Sequence, residues 1–168
     1  MRGLQTLLLA LGLVFTLGAV NYDIVRKQQI VDGGAQILLP IRPADPRSLL
    51  QGDYMTLRYA RTALPPDALG ESLPRRGTAV VKLDADGVAE FARLDDGAAL
   101  TAGELRLKYK RRLRESEVSY GADSFFFQEG DADLYAQAKY SVLRVDAAGD
   151  SILVGLAGAD HNMLNPRR

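Results

Sequence analysis

Twenty residues from Gly3 to Tyr22, GLQTLLLALGLVFTLGAVNY, carry no charge, and the period of the chain changes after them. A helix rises about 1.5 Å per residue, so this run spans roughly 30 Å, the thickness of a bilayer's hydrocarbon layer. Beyond residue 35 the apolar positions alternate with polar ones, the two-residue period of half-buried strands. "TAVVKLDADGVAEFARL" (78–94) places Asp86-Gly87 between two alternating arms, a favoured hairpin turn. "YSVLRVDAAGDSILVGL" (140–156) repeats that plan around Gly149-Asp150. The repetition has two explanations, an old duplication or the shared grammar of hairpins.

Between the hairpins, "ELRLKYKRRL" alternates strictly. Leu105, Leu107, Tyr109 and Leu113 face one way, interrupted by Arg111. Arg106, Lys108, Lys110, Arg112 and Arg114 face the other and form a basic stripe. "ILLPIRP" is extended, with Pro40 and Pro43 confining any strand there to an edge or its ends. Tyr54 to Ala60 reads as one strand with Met55, Leu57 and Tyr59 on a single face. "LPPDALGESLPRRG" holds three of the seven prolines and reads as a long surface loop. One helix is expected after "SFFFQEG", capped by Asp131, with Leu134, Tyr135 and Ala138 as its apolar stripe and Lys139 near its end.

The fold class that follows is mainly β (α+β): an N-terminal transmembrane helix, then a β-hairpin-rich globular domain with one short helix. The expected divisions are an anchor at 1–27, a flexible exit at 28–35, the soluble domain at 36–160 and a polar tail at 161–168. A cleaved signal peptide needs a shorter apolar run and small residues before the cut. The length here favours a retained anchor, with Tyr22 at the interface and Arg26-Lys27 beyond it.

Composition narrows the chemistry. Lys and Arg total 21 of the 168 residues, as do Asp and Glu, so the chain lacks the basic surplus of a general nucleic-acid binder. No cysteine is present, which excludes disulfides, thiolate metal sites and a cysteine nucleophile. The single histidine, His161, excludes a multi-histidine metal site. Asp84, Asp86 and Glu90 lack the ligand spacing of a calcium loop, and hairpin turn chemistry accounts for them. No serine–lysine peptidase motif, phosphate loop or dinucleotide turn occurs. Neither cofactor nor metal is expected, and no catalytic constellation stands out. The basic stripe has two readings, a solvated face paired with neighbouring acids or a surface for anionic headgroups or an acidic partner.

At Gly52-Asp53-Tyr54-Met55-Thr56-Leu57-Arg58-Tyr59 the chain reads Gly-Asp-Tyr-x-x-Leu-x-Tyr. This resembles the bacterial membrane-anchored GDYXXLXY family. "IRPADPRSLLQGDY" and "FFFQEGDADLYAQAKYSVLRVDAAGDSILVGL" are similar to that family's sequences on either side of the motif. The resemblance implies a membrane-anchored bacterial protein, single-pass in the inner membrane, and the short stretch before the anchor favours a cytoplasmic N-terminus with the domain outside. It also implies association with a multispanning membrane protein, but no reaction.

Gly52, Asp53, Tyr54, Leu57, Arg58 and Tyr59 are therefore candidates for a binding surface, with Asp53 accepting from turn amides or Arg47. The bland alternative is a structural corner. Three functional readings stand at this point: a non-enzymatic accessory protein anchored in the bilayer through residues 3–22, a small-ligand or lipid-binding module using Phe125-Phe126-Phe127 and the long loop, and a hydrolase using carboxylates such as Asp45 and Asp53.

Overall fold

The computed structural model describes residues 2–42, 47–49, 52–65, 73–112 and 117–166. Helix α1 (Arg2–Gly33) is continuous, and its apolar stretch is long enough to cross a membrane and fully exposed. The 28–35 segment, where a flexible exit was expected, is helical as far as Gly33. Gly34 then makes the sharp passage into the domain. A Cβ on Gly34 would lie 2.5 Å from the Ile30 carbonyl oxygen and 3.0 Å from the Val145 amide, so no larger residue fits there.

The described residues contain eleven strands. The first six are β1 (Ala35–Arg42), β2 (Arg47–Leu49), β3 (Gly52–Thr56), β4 (Arg58–Tyr59), β5 (Arg76–Leu83) and β6 (Ala89–Leu94). The rest are β7 (Glu104–Arg112), β8 (Glu117–Ser119), β9 (Ser124–Phe127), β10 (Tyr140–Val145) and β11 (Ser151–Ala157). They form three antiparallel sheets in the orders β11-β10-β1-β4, β2-β3-β9 and β6-β5-β7-β8. The fold class is mainly β, as the alternation predicts.

One core joins all three sheets. Ile37, Leu39 and Ile41 of β1 meet Ala79 and Val81 of β5, Leu107 and Tyr109 of β7, Leu143 of β10 and Met55 of β3. Alternation places each set, because successive strand residues point to opposite faces. A smaller cluster covers the other face of the first sheet, where Leu38, Val142 and Ala157 lie under Val88. Pro40 sits where its missing N–H costs no ladder bond. It is the last β1 residue opposite β10, and pairing with β4 begins at Ile41.

Further expectations need correction. The segment 54–60 is two strands rather than one, because β3 pairs with β9 whereas β4 pairs with β1. The loop at 64–77 is not wholly on the surface: Leu64 and Leu73 are buried in the core, and β5 starts at Arg76. The short helix α2 (Ala132–Tyr135) is a single turn that Asp131 opens without a side-chain cap. Its backbone carbonyl accepts from Leu134 and Tyr135 instead, and Lys139 lies past the helix end. Tyr135 and Ala138 are buried, as their spacing predicts. The tail is not free either, since Met163 bridges Ala157 and the Leu164 amide donates to Leu156.

The two hairpins agree beyond their turns. In each, an aspartate (Asp84, Asp146) opens a three-residue loop, its carboxylate accepts two turn amides, and a glycine (Gly87, Gly149) follows at positive φ. This is a type I turn closed by a glycine bulge, not the two-residue turn expected from the sequence. Each hairpin also carries a register shift at the same place, between Val80 and Val81 in one and Val142 and Leu143 in the other. Each tip docks across onto a strand of the opposite sheet. Gly87 O accepts from Leu38 of β1, and Gly149 O accepts from Lys108 of β7. Turn chemistry alone demands neither the matching bulge nor the exchanged docking, whereas duplication accounts for both.

Candidate functional site

The motif strand changes sheets in its middle. Gly52 opens β3 opposite Leu49, and Asp53 stands between Ser48 and Phe127. The hydrogen bonds expected of Asp53, and its pairing with Asp45, fall outside the described side chains. At Leu57 the strand leaves β9, the Leu57 amide donates to the Asp123 carbonyl, and β4 joins β1 from the next residue, Arg58. Leu57 and Tyr59 are buried, as their parity predicts, and Arg58 is exposed. The segment is thus a corner stitching two sheets together.

Tyr59 secures that corner. Its hydroxyl donates to the Tyr120 carbonyl at 2.6 Å, and the Tyr120 hydroxyl donates to the Ala63 carbonyl at 2.7 Å. The two rings meet edge to face with centroids 5.2 Å apart, a favoured aromatic geometry. Burial pushes both phenols well above the ordinary tyrosine range, so each stays a hydrogen-bond donor. Sequence reasoning overlooked Tyr120. The available signal was Val118-Ser119-Tyr120, which echoes Leu57-Arg58-Tyr59 at the matching place in the other half.

Tyr54 has the opposite parity and lies half-buried on the outer side of the three-stranded sheet. It pairs with Phe126 across β3 and β9, and their ring centroids are 5.9 Å apart. Phe126 is 72% exposed, the most exposed large apolar side chain among the described residues outside α1. Its neighbours Phe125 and Phe127 turn inward, and each ring lies 5.0 Å from Tyr135. The phenylalanine run is therefore divided, two half-buried rings packed against the core and one on the surface. It does not line a cleft together, and most of the long loop lies outside the described residues.

The basic stripe is also divided. Arg106 is taken up by Asp95 at 2.9 Å and by the Ala98 carbonyl at 3.0 Å. The Arg106 guanidinium and the Gly97 amide hold the Asp95 carboxyl below its usual range. Lys108 reaches Asp150 at 2.8 Å, and Asp150 also holds Arg26 of α1. Lys110 is exposed. The side chain of Arg112 and the whole of Arg114 lie outside the described residues.

These features define a β-rich domain on one N-terminal apolar helix, its motif corner latched by buried tyrosines and carrying an aromatic pair outside. The sequence profile of the GDYXXLXY protein family matches residues 16–156, and the chain belongs to that family. Neither the curated proteins nor the solved structures contain a match to it.

Proposed function

We propose that the chain is a non-enzymatic accessory protein, held by α1 in the bacterial cytoplasmic membrane with its β-domain outside the cytoplasm. Its docking surface for another membrane protein is the Tyr54–Phe126 face. The observation that carries this reading is Phe126, 72% exposed beside Tyr54 on a sheet whose opposite side supplies the core. A phenylalanine left in water forgoes roughly 2 kcal/mol of burial that a partner restores. Aromatic side chains of this kind are enriched at the centres of protein interfaces.

Position supports the same reading. β10 runs back toward α1 and pairs with the start of β1, while Arg58 and Tyr59 of the motif pair with the far end of β1. At about 3.3 Å per residue, β1 sets the motif corner roughly 25 Å from the end of α1. A partner would have to reach it with extramembrane loops or a domain.

The test is photocrosslinking in native membranes, with a photoreactive residue at Phe126 and a second at Lys139 as a control. Capture of one specific membrane protein from position 126 but not 139 supports the reading. Only intramolecular products at position 126 would sink it.

A further inference from the structure

Two cations share one carboxylate oxygen at the base of the domain. Arg26 Nη2 and Lys108 Nζ both reach Oδ2 of Asp150, the residue that closes the β10–β11 turn. That turn descends beside α1, and its Gly149 carbonyl accepts from the Lys108 amide. α1, the turn and β7 are therefore fastened at a single point.

The depth of that point follows from the helix. Arg26 lies four residues beyond Tyr22, about 6 Å along the axis at 1.5 Å per residue. The polar layer on each side of a bilayer is roughly 5–8 Å thick. With Gly3–Tyr22 in the hydrocarbon layer, Arg26, Asp150 and Lys108 stand at the level of the lipid headgroups. This step rests on the reading of α1 as membrane-spanning.

A cleft of about 680 Å³ lies between α1 and the turn, but Val25, Ile30 and Leu105 give it an apolar wall, and Arg26 is the sole cation among its described lining residues. A second cleft, of about 510 Å³, opens on the other side of Asp150 and holds Arg76, Lys108 and Lys110. Arg76 and Lys110 are directly opposite in the β5–β7 ladder. Like charges at that spacing repel, so the pair is strained electrostatically until an anion lies between them. Ser119, opposite Lys110 on the other flank, and Ser151 add hydroxyl donors. Its described lining residues also include two carboxylates, Asp123 and Asp150; Asp150 is engaged by both Arg26 and Lys108, which leaves Arg76 and Lys110 as the cations that meet an anion.

We propose that this second cleft binds the phosphate of an anionic glycerophospholipid from the membrane that holds α1. Ammonium, guanidinium and hydroxyl groups are the donors that non-bridging phosphate oxygens accept from. The surface potential of an anionic leaflet draws such a cluster toward it. Headgroup binding would seat the base of the domain on the bilayer and leave the Tyr54–Phe126 face at the far end.

The test uses the full-length chain in nanodiscs of phosphatidylcholine alone or with phosphatidylglycerol. The readout is amine acetylation of Lys110, followed by mass spectrometry. The expected result is several-fold slower labelling of Lys110 in the phosphatidylglycerol discs, with Lys139 labelled equally in both. Arg76→Gln should abolish most of that protection without lowering the melting temperature. Equal Lys110 labelling of the unmutated chain in both discs overturns the proposal, and this comparison does not depend on how the variant folds. Full protection by inorganic phosphate in phosphatidylcholine discs also overturns it, because the site would then take a free anion. A chain that fails to insert through α1 removes the membrane reading beneath the proposal, an outcome distinct from insertion without lipid dependence.

Discussion

The Tyr59 hydroxyl donates to the backbone carbonyl of Tyr120, and the Tyr120 hydroxyl donates to that of Ala63, four residues beyond Tyr59. Each tyrosine thus holds the chain on which the other sits. The pair joins the segment after β4 to the segment after β8, equivalent positions in the two halves. This accounts for the final tyrosine of the motif: it ties one half of the domain to the other at a buried site where water cannot substitute for the lost donor.

Removal of either hydroxyl should therefore be felt globally. Tyr59→Phe and Tyr120→Phe each leave a buried carbonyl without that donor, and each should cost about 1–3 kcal/mol. Denaturant unfolding of the two single variants and the double variant measures the coupling. Because the rings touch, the double variant should lose less than the sum of the singles.

Alkaline pH should destabilise the domain through the same pair. The folded phenols are held protonated above their ordinary value of 10.0 by burial, whereas the unfolded phenols ionise near it. The unfolded state then binds fewer protons, so the stability contributed by burial is complete below about pH 10 and falls as pH rises beyond it. Phenolate absorbance should show Tyr59 and Tyr120 ionising only together with unfolding. Early titration of all seven tyrosines without loss of structure would contradict this.

The two hairpin glycines should differ under the same substitution. Gly87 and Gly149 both have positive φ, so alanine at either should cost on the order of 1 kcal/mol in backbone strain. A Cβ at Gly87 meets nothing within 4 Å, but one at Gly149 meets Arg106 backbone atoms at 3.1 and 3.2 Å. Gly149→Ala should therefore lower the melting temperature clearly more than Gly87→Ala.

Adjacent phenylalanines should separate stability from binding. Phe126→Ser should leave stability within about 0.5 kcal/mol, as exposed substitutions do. Phe125→Ser should cost about 3 kcal/mol, because it opens the packing against Tyr135 and Phe127. Thermal melts of the two variants decide this. Equal losses would mean that Phe126 is covered within the domain.

What the sequence by itself determined is local. The uncharged run from Gly3 to Tyr22 specifies an apolar helix long enough for a bilayer, because length and hydropathy suffice for that. Alternation in 78–94, 104–112 and 140–156 specifies strands and their buried faces, because a period of two admits one division of inward from outward residues. The parity of Leu57, Tyr59 and Tyr54 was legible for the same reason. The tertiary structure decided the partners. Nothing local says that β3 and β4 part at Leu57, that Tyr59 meets Tyr120 sixty-one residues away, or that Asp150 gathers Arg26 and Lys108 from two distant elements. The helix at 132–135 is a single turn because the same apolar spacing also suits one turn laid on a core. Which of three phenylalanines stays in water was settled only when β9 found its place beside β3, since burial belongs to the packed sheet and not to the residue.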